Sequence, residues 1–179
     1  MSSDSTSTEP DTETETVAVE HEYVATGDFA KRAARAYTAF VLRLPVMVII
    51  STIVLVAGIL SLVWGVADTS STYLVIGVAY LLMPAIAAMF TYARMLNGTR
   101  KRVPTGSRIA VGLGHSSMRI ESPLVTSTTT YRSYTRAYRS GGFVILRLLG
   151  VRAYSVLPAE LFPADDFARL QDGIARAKR

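Results

Sequence analysis

Hydrophobic positions run almost unbroken from Pro45 to Tyr92, in two stretches parted only by Ala67-Asp68-Thr69-Ser70-Ser71. No charged residue falls between Arg43 and Asp68, and none from Thr69 to Ala93. Each stretch exceeds the roughly 20 residues an α-helix needs to cross a hydrocarbon core about 30 Å thick. The pattern therefore predicts a transmembrane hairpin of two helices over residues 45–93. The β-branched content of Val46 to Val56 does not oppose helix, because backbone groups in lipid must be satisfied within the segment. Pro84 is expected to kink the second helix, since it removes a donor and crowds the preceding turn. Ala57, Ser61 and Gly65 in the first helix, with Ala85 and Ala88 in the second, are small residues at helical spacing. They favour close helix approach, either within one hairpin or between two copies.

On both sides of the hairpin the period changes. Residues 20–25 form a candidate short strand, and Thr26 to Phe29 reads as a helix start with Thr26 as cap and Asp28 in the first turn. Phe29, Ala33, Tyr37, Phe40 and Leu44 then recur at helical spacing, with Lys31, Arg32 and Arg35 on the opposite side. This amphipathic helix either lies on the lipid surface or packs against the later domain. After the second span, Asn97-Gly98 and Val103-Pro104-Thr105-Gly106 punctuate a basic linker over 94–106. Period-two alternation follows, at Ile109, Val111 and Leu113, then Met118 and Ile120, then the β-branched run from Leu124 to Tyr131. Tyr134 to Arg139, Phe143 to Leu149 and Val151 to Leu157 complete six short strands, predicted as one curled antiparallel sheet. A helix entered at Pro163, with the stripe Phe167, Leu170 and Ile174, closes it. The fold class is thus a membrane α+β protein: a helical hairpin plus a small antiparallel sheet domain over 107–179, closed by a C-terminal helix.

Charge sets the orientation. The chain of 179 residues carries a formal +5 and no cysteine. Residues 1–22 hold seven of its 14 acidic residues and none of its 19 Lys and Arg, so the remainder carries +12. Residues 1–19, Ser/Thr/Glu-rich, are expected to be a disordered acidic tail, and they lack the basic start and apolar core of a signal peptide. Lys31, Arg32, Arg35 and Arg43 precede the first span, Arg94, Arg100, Lys101, Arg102 and Arg108 follow the second, and the loop between has only Asp68. The positive-inside rule then predicts a plasma-membrane protein with both termini in the cytoplasm. Trp64 and Tyr92 fall where interfacial aromatics belong.

Candidate chemistry is sparse. Gly114-His115-Ser116-Ser117 lacks the final glycine of a nucleophile elbow and joins two short strands, where an elbow needs a strand-to-helix turn. Gly112-x-Gly114-x-x-Ser117 has no following helix to make a dinucleotide fingerprint. Two histidines without cysteine suggest no metal set. No enzyme activity and no cofactor are expected. The absence of ionisable groups within the spans argues against a pump. What remains is cationic. Arg94, Arg100, Lys101 and Arg102 follow the second span, and Arg132, Arg136 and Arg139 are interleaved with Tyr131, Tyr134 and Tyr138, with Arg147 and Arg152 further on. Either these contact anionic lipid through charge-assisted hydrogen bonds, or they form a solvated sheet face that blunts edge pairing. Nucleic acid is not an expected partner.

The stretches Glu22-Tyr-Val-Ala-Thr-Gly-Asp28-Phe29, Thr130-Tyr-Arg-Ser-Tyr-Thr-Arg136, Phe143-Val-Ile-Leu-Arg147 and Leu157-Pro-Ala-Glu-Leu-Phe162, set around the hairpin, resemble the YcxB-like family of bacterial membrane proteins. Tyr131 stands where that family tends to place Trp. The resemblance implies a pleckstrin-homology-like (PH-like) sheet domain after two spans, and it brings no catalytic residues. The expected function is a membrane-anchored interaction module that binds lipid head groups or a protein partner, with homo-oligomers also open. The alternative is a small accessory subunit of a transporter or channel.

Overall fold

The computed structural model describes residues 17–150 and 154–179. The strand β1 (His21–Val24) leads into helix α1 (Phe29–Leu42), and the apolar helices α2 (Pro45–Ala67) and α3 (Ser71–Arg102) follow. Six strands come next: β2 (Arg108–Leu113), β3 (Ser117–Ser122), β4 (Val125–Thr130), β5 (Tyr134–Ser140), β6 (Phe143–Leu148) and β7 (Tyr154–Pro158). Helix α4 (Ala164–Arg176) ends the fold. Most of the expected acidic tail, the start of the last expected strand and Arg152 lie outside the described residues.

The strands form two antiparallel sheets, β1-β2-β3-β4 and β5-β6-β7. A single 3-10 turn at Tyr131–Ser133 separates them, where one continuous sheet was expected. The first sheet is completed from the other side of the hairpin, with Tyr23 of β1 opposite Ile109 of β2 and His21 opposite Val111. The helical hairpin is therefore an insertion between two paired strands of a roll that has seven strands among the described residues. Immediately before β1 the chain still hugs β2. The Glu20 amide donates to the Val111 carbonyl at 3.1 Å, and a Cβ on Gly112 would lie only 2.0 Å from the Ala18 carbonyl oxygen.

Of the two placements open to α1, packing against the domain is the observed one. Phe29, Ala33, Ala36 and Phe40 are buried. Phe29 meets Phe143 with ring centroids 5.7 Å apart, and Phe40 meets Tyr138 at 4.9 Å and Tyr154 at 5.7 Å. This explains why β6 reads Phe143-Val-Ile-Leu146 without alternation: all four are buried, with α1 on one face and the core of the roll on the other. That pattern belongs to strands covered on both sides. Thr26 does not cap α1. Its hydroxyl donates to the Asp28 carboxylate at 2.6 Å, and Asp28 takes the N-cap position without a side-chain cap bond. The Thr26 bond, helped by Arg32, holds the Asp28 carboxyl below its usual range against some desolvation.

Helices α2 and α3, of 23 and 32 residues, are long and apolar enough to cross a membrane. At 1.5 Å per residue α3 measures about 48 Å, well beyond a hydrocarbon core of about 30 Å. The segment expected as a linker is largely its last turns. Asn97-Gly98 does not stop the helix; Val103-Pro104 does, because the residue before proline is pushed out of the α region. α3 is continuous through Pro84. The two helices approach most closely at Gly58, Gly65 and Gly77, all buried. A Cβ on Gly65 would sit 2.8 Å from the Leu74 amide nitrogen, and one on Gly77 2.9 Å from the Gly58 carbonyl oxygen. Ala57, Ser61 and Ala88 are half-buried along the same seam, while Ala85 points outward.

α4 begins one residue after Pro163, with Asp165 and Asp166 in its first turn and Leu170 and Ile174 buried. It docks on β5 of the second sheet, where Gln171 donates to the Ala137 carbonyl at 3.4 Å, and on Tyr131 of the 3-10 turn, whose ring would be 2.8 Å from a Cβ on Gly173 and whose hydroxyl donates to the Gly114 carbonyl at 2.9 Å.

Candidate functional site at the end of the helical hairpin

The period of two along β5 divides the expected arginine and tyrosine cluster. Arg136 and Tyr138 share the face that α1 covers, and Phe40 packs on Tyr138. Arg139 is on the other face, where its guanidinium stands 5.7 Å over the Phe167 ring and donates to the Phe162 carbonyl at 3.3 Å. Arg139 thereby fastens α4 to the sheet and is not part of a free cationic surface. Arg132 lies in the 3-10 turn, beside Arg176, at a separate hollow of about 360 Å³. Tyr131 and Tyr134 are buried. Burial holds the Tyr134 phenol above its ordinary pKa, with the Thr129 hydrogen bond opposing.

Arg136 is directly opposite Arg147 on β6, and Arg147 in turn is opposite Tyr154 on β7. Like charges at facing positions of a sheet repel. Neither arginine forms an ion pair with a described residue. Tyr154 touches Tyr37 and Phe40, so the row runs from under the half of α1 that leads to Pro45 out to the exposed Arg147 and Arg136.

At the same end of the molecule a cleft of about 1160 Å³ opens between α1, the last turns of α3 and the mouths of both sheets. α3 contributes Thr91, Arg94, Met95, Gly98 and Arg102, a single helical face. The other walls include Tyr37, Val41, Ile120, Tyr134 and Leu148. Among the described residues no Asp or Glu lines the cleft. Burial raises the Tyr37 pKa, as does Tyr154, while Arg94 pulls the other way, which places Arg94 electrostatically within reach of Tyr37. Both Tyr37 and Tyr134 thus stay neutral near pH 7. On the rim, Leu124 and Val125 of the β3–β4 turn are 65% and 59% exposed. Arg100 and Lys101 are exposed and do not line the cleft.

The structure therefore joins Arg94 and Arg102 across one opening, sets Arg136 on the face beneath α1, and separates Arg132 and Arg139 from them. The cleft itself was not foreseen, because its walls come from four parts of the chain. One signal was present: Arg94, Gly98 and Arg102 recur every fourth residue. A second unforeseen cluster is Glu20, His21 and Asp166, whose ligand atoms lie within 4.8 Å of one another. His21 Nε2 is 2.6 Å from Asp166 Oδ2, and Arg169 donates to the other oxygen at 3.1 Å. With that carboxylate already engaged on both oxygens, the cluster acts as a clip between β1 and α4.

The chain matches no known family, no curated protein and no solved structure.

Proposed function

We propose that the protein is a membrane-anchored interaction module, in which the hairpin crosses the plasma membrane and holds a PH-like roll against the cytoplasmic leaflet to engage anionic lipid head groups. The observation that carries this reading is the insertion of the hairpin between β1 and β2, which ties the roll to both helices at once. Only residues 103–107 separate α3 from β2. Even fully extended, at about 3.3 to 3.6 Å per residue, they give the roll less than about 20 Å of reach. Arg94, at the start of the last turns of α3, is then the cleft arginine nearest an anionic surface, whose field decays over about 8 Å at physiological salt. The 4 + 3 strand division with a closing helix supports the PH-like description, as does the resemblance to the YcxB-like family.

Topology is tested with single cysteines, which the natural chain lacks. A cysteine at Ser70 in the loop should react with an impermeant thiol reagent in intact cells, and one at Asp172 on α4 only after lysis. The reverse pattern would reject the orientation. Lipid contact is tested by hydrogen exchange of the full chain in nanodiscs. The turn carrying Leu124 and Val125 should exchange more slowly in anionic than in zwitterionic lipid, and the difference should shrink as salt rises. Equal exchange in both lipids, or selective ion conduction by reconstituted protein, would count against this function.

A further inference from the structure

We infer that the cleft between α1, α3 and the two sheets is a binding site for one anionic phospholipid drawn from the adjoining leaflet. Its phosphate would rest between Arg94 and Arg102, and its acyl portion against Val41, Met95, Ile120 and Leu148. The inference rests on the membrane reading above and goes beyond it: surface attraction of a basic domain needs no cavity, whereas this is a formed one.

Three features identify the occupant. The first is charge. Arg94 and Arg102 are both exposed, and neither is ion-paired with a described residue. Eight residues apart on one helix, they are separated by about 12 Å along its axis, and no carboxylate among the described lining residues offsets them. Gly98 lies between them, and a Cβ there would meet nothing within 4 Å. The gap is open. Paired guanidiniums are the usual partners of phosphate oxygens.

The second feature is the lining. Apart from the arginines it consists of aliphatic and aromatic side chains with scattered hydroxyls, including the phenols of Tyr37 and Tyr134. A small polar anion would leave most of that surface unfilled. At about 1160 Å³ the cleft also exceeds the roughly 300–1,000 Å³ of ordinary small-molecule sites, as an amphiphile with long chains requires.

The third is position. Thr91 and Met95 continue the apolar helix α3 directly into the cleft wall, and the exposed Leu124 and Val125 extend the apolar surface at the rim. A lipid beside α3 can enter along a continuous apolar path without its chains crossing water.

The test uses the full chain purified from membranes in mild detergent, with bound lipid read by native mass spectrometry. One anionic phospholipid per chain is expected to survive purification. Arg94→Gln with Arg102→Gln should lower its occupancy about tenfold or more, since two charge-assisted bonds are lost. Arg100→Gln with Lys101→Gln, outside the lining, should leave it unchanged. Gly98→Trp keeps both arginines but fills the gap, and it should also expel the lipid. Trp is a better helix former than Gly, so circular dichroism should confirm that α3 persists. Retention of zwitterionic lipid at equal occupancy, a bound fatty acid in place of phospholipid, a second copy of the chain in the cleft, or no bound lipid at all would each overturn the inference. The nanodisc exchange experiment separates this failure from that of the broader reading: anionic protection of the β3–β4 turn in the unsubstituted chain, with no lipid retained on purification, removes the cleft site and leaves head-group contact standing.

Discussion

A fragment running from Arg94 to Arg179 should show no cooperative thermal transition by circular dichroism, although it contains six of the seven strands and α4. It lacks β1, so β2 becomes an unprotected edge with Ile109 and Val111, both buried in the full chain, beside the vacated position. Such edges invite aggregation. It also lacks α1, which uncovers Phe143, Tyr138 and Tyr154 on the outer face of the second sheet. Near 85 residues, a single core has little surplus stability. Two of its walls are missing here. Fusing residues 17–42 to the fragment through a flexible linker should restore a sharp transition, because those residues supply both the fourth strand and the covering helix. A sharp transition for the bare fragment would show that the inserted architecture is dispensable for folding.

The same pairing marks the limit of what the sequence alone discloses. The apolar helices are legible because nothing but a span or a fully buried helix accounts for more than 20 uncharged residues in a row. Strand positions are legible from alternation at Ile109, Val111 and Leu113. The pairing of β1 with β2 is not, because it depends on His21 finding Val111 across the whole hairpin, and local pattern carries no information about partners so distant. β6 shows the effect on burial. Phe143-Val-Ile-Leu146 is marked as buried by its composition, but only the structure reveals that α1 supplies the second cover. Local punctuation misleads at Asn97-Gly98, a turn signal that α3 passes through because its neighbours are good helix formers and the true stop is Pro104. As for the site, its two arginines, Arg94 and Arg102, are legible from charge density alone. Charge density cannot separate Arg102, in the cleft, from Arg100 and Lys101 beside it, since a rotation of about 100° per residue decides which one faces inward.

Phe162→Ala should destabilise the roll far more than Phe90→Ala, although both residues sit among apolar neighbours in sequence. Phe162 is 0% exposed, at the corner where β7 gives way to α4, packed in a core that also holds the fully buried Leu161 and Leu170. Its carbonyl accepts from Arg139 and its amide donates to the Ala159 carbonyl at 3.0 Å, so the backbone around it cannot easily collapse into a vacated space. Removing a buried phenyl ring costs about 3–5 kcal/mol under those conditions. That is a large share of the roughly 5–15 kcal/mol that holds a domain together. For a roll of roughly 100 residues each kcal/mol moves the midpoint by about 4–8 °C, which puts the expected loss above about 12 °C. Phe90 is 71% exposed on α3, where its ring touches lipid in the proposed bilayer, and its truncation forfeits only the few tenths of a kcal/mol that an apolar side chain contributes to insertion. The roll should melt where it did before. Near-UV circular dichroism of the tyrosines is the suitable probe, because the single tryptophan, Trp64, lies on α2 and does not report on the roll. Equal midpoints for the two variants would mean that the corner at Phe162 relaxes to fill its cavity, and that the core of the roll is held mainly by β6 and α1.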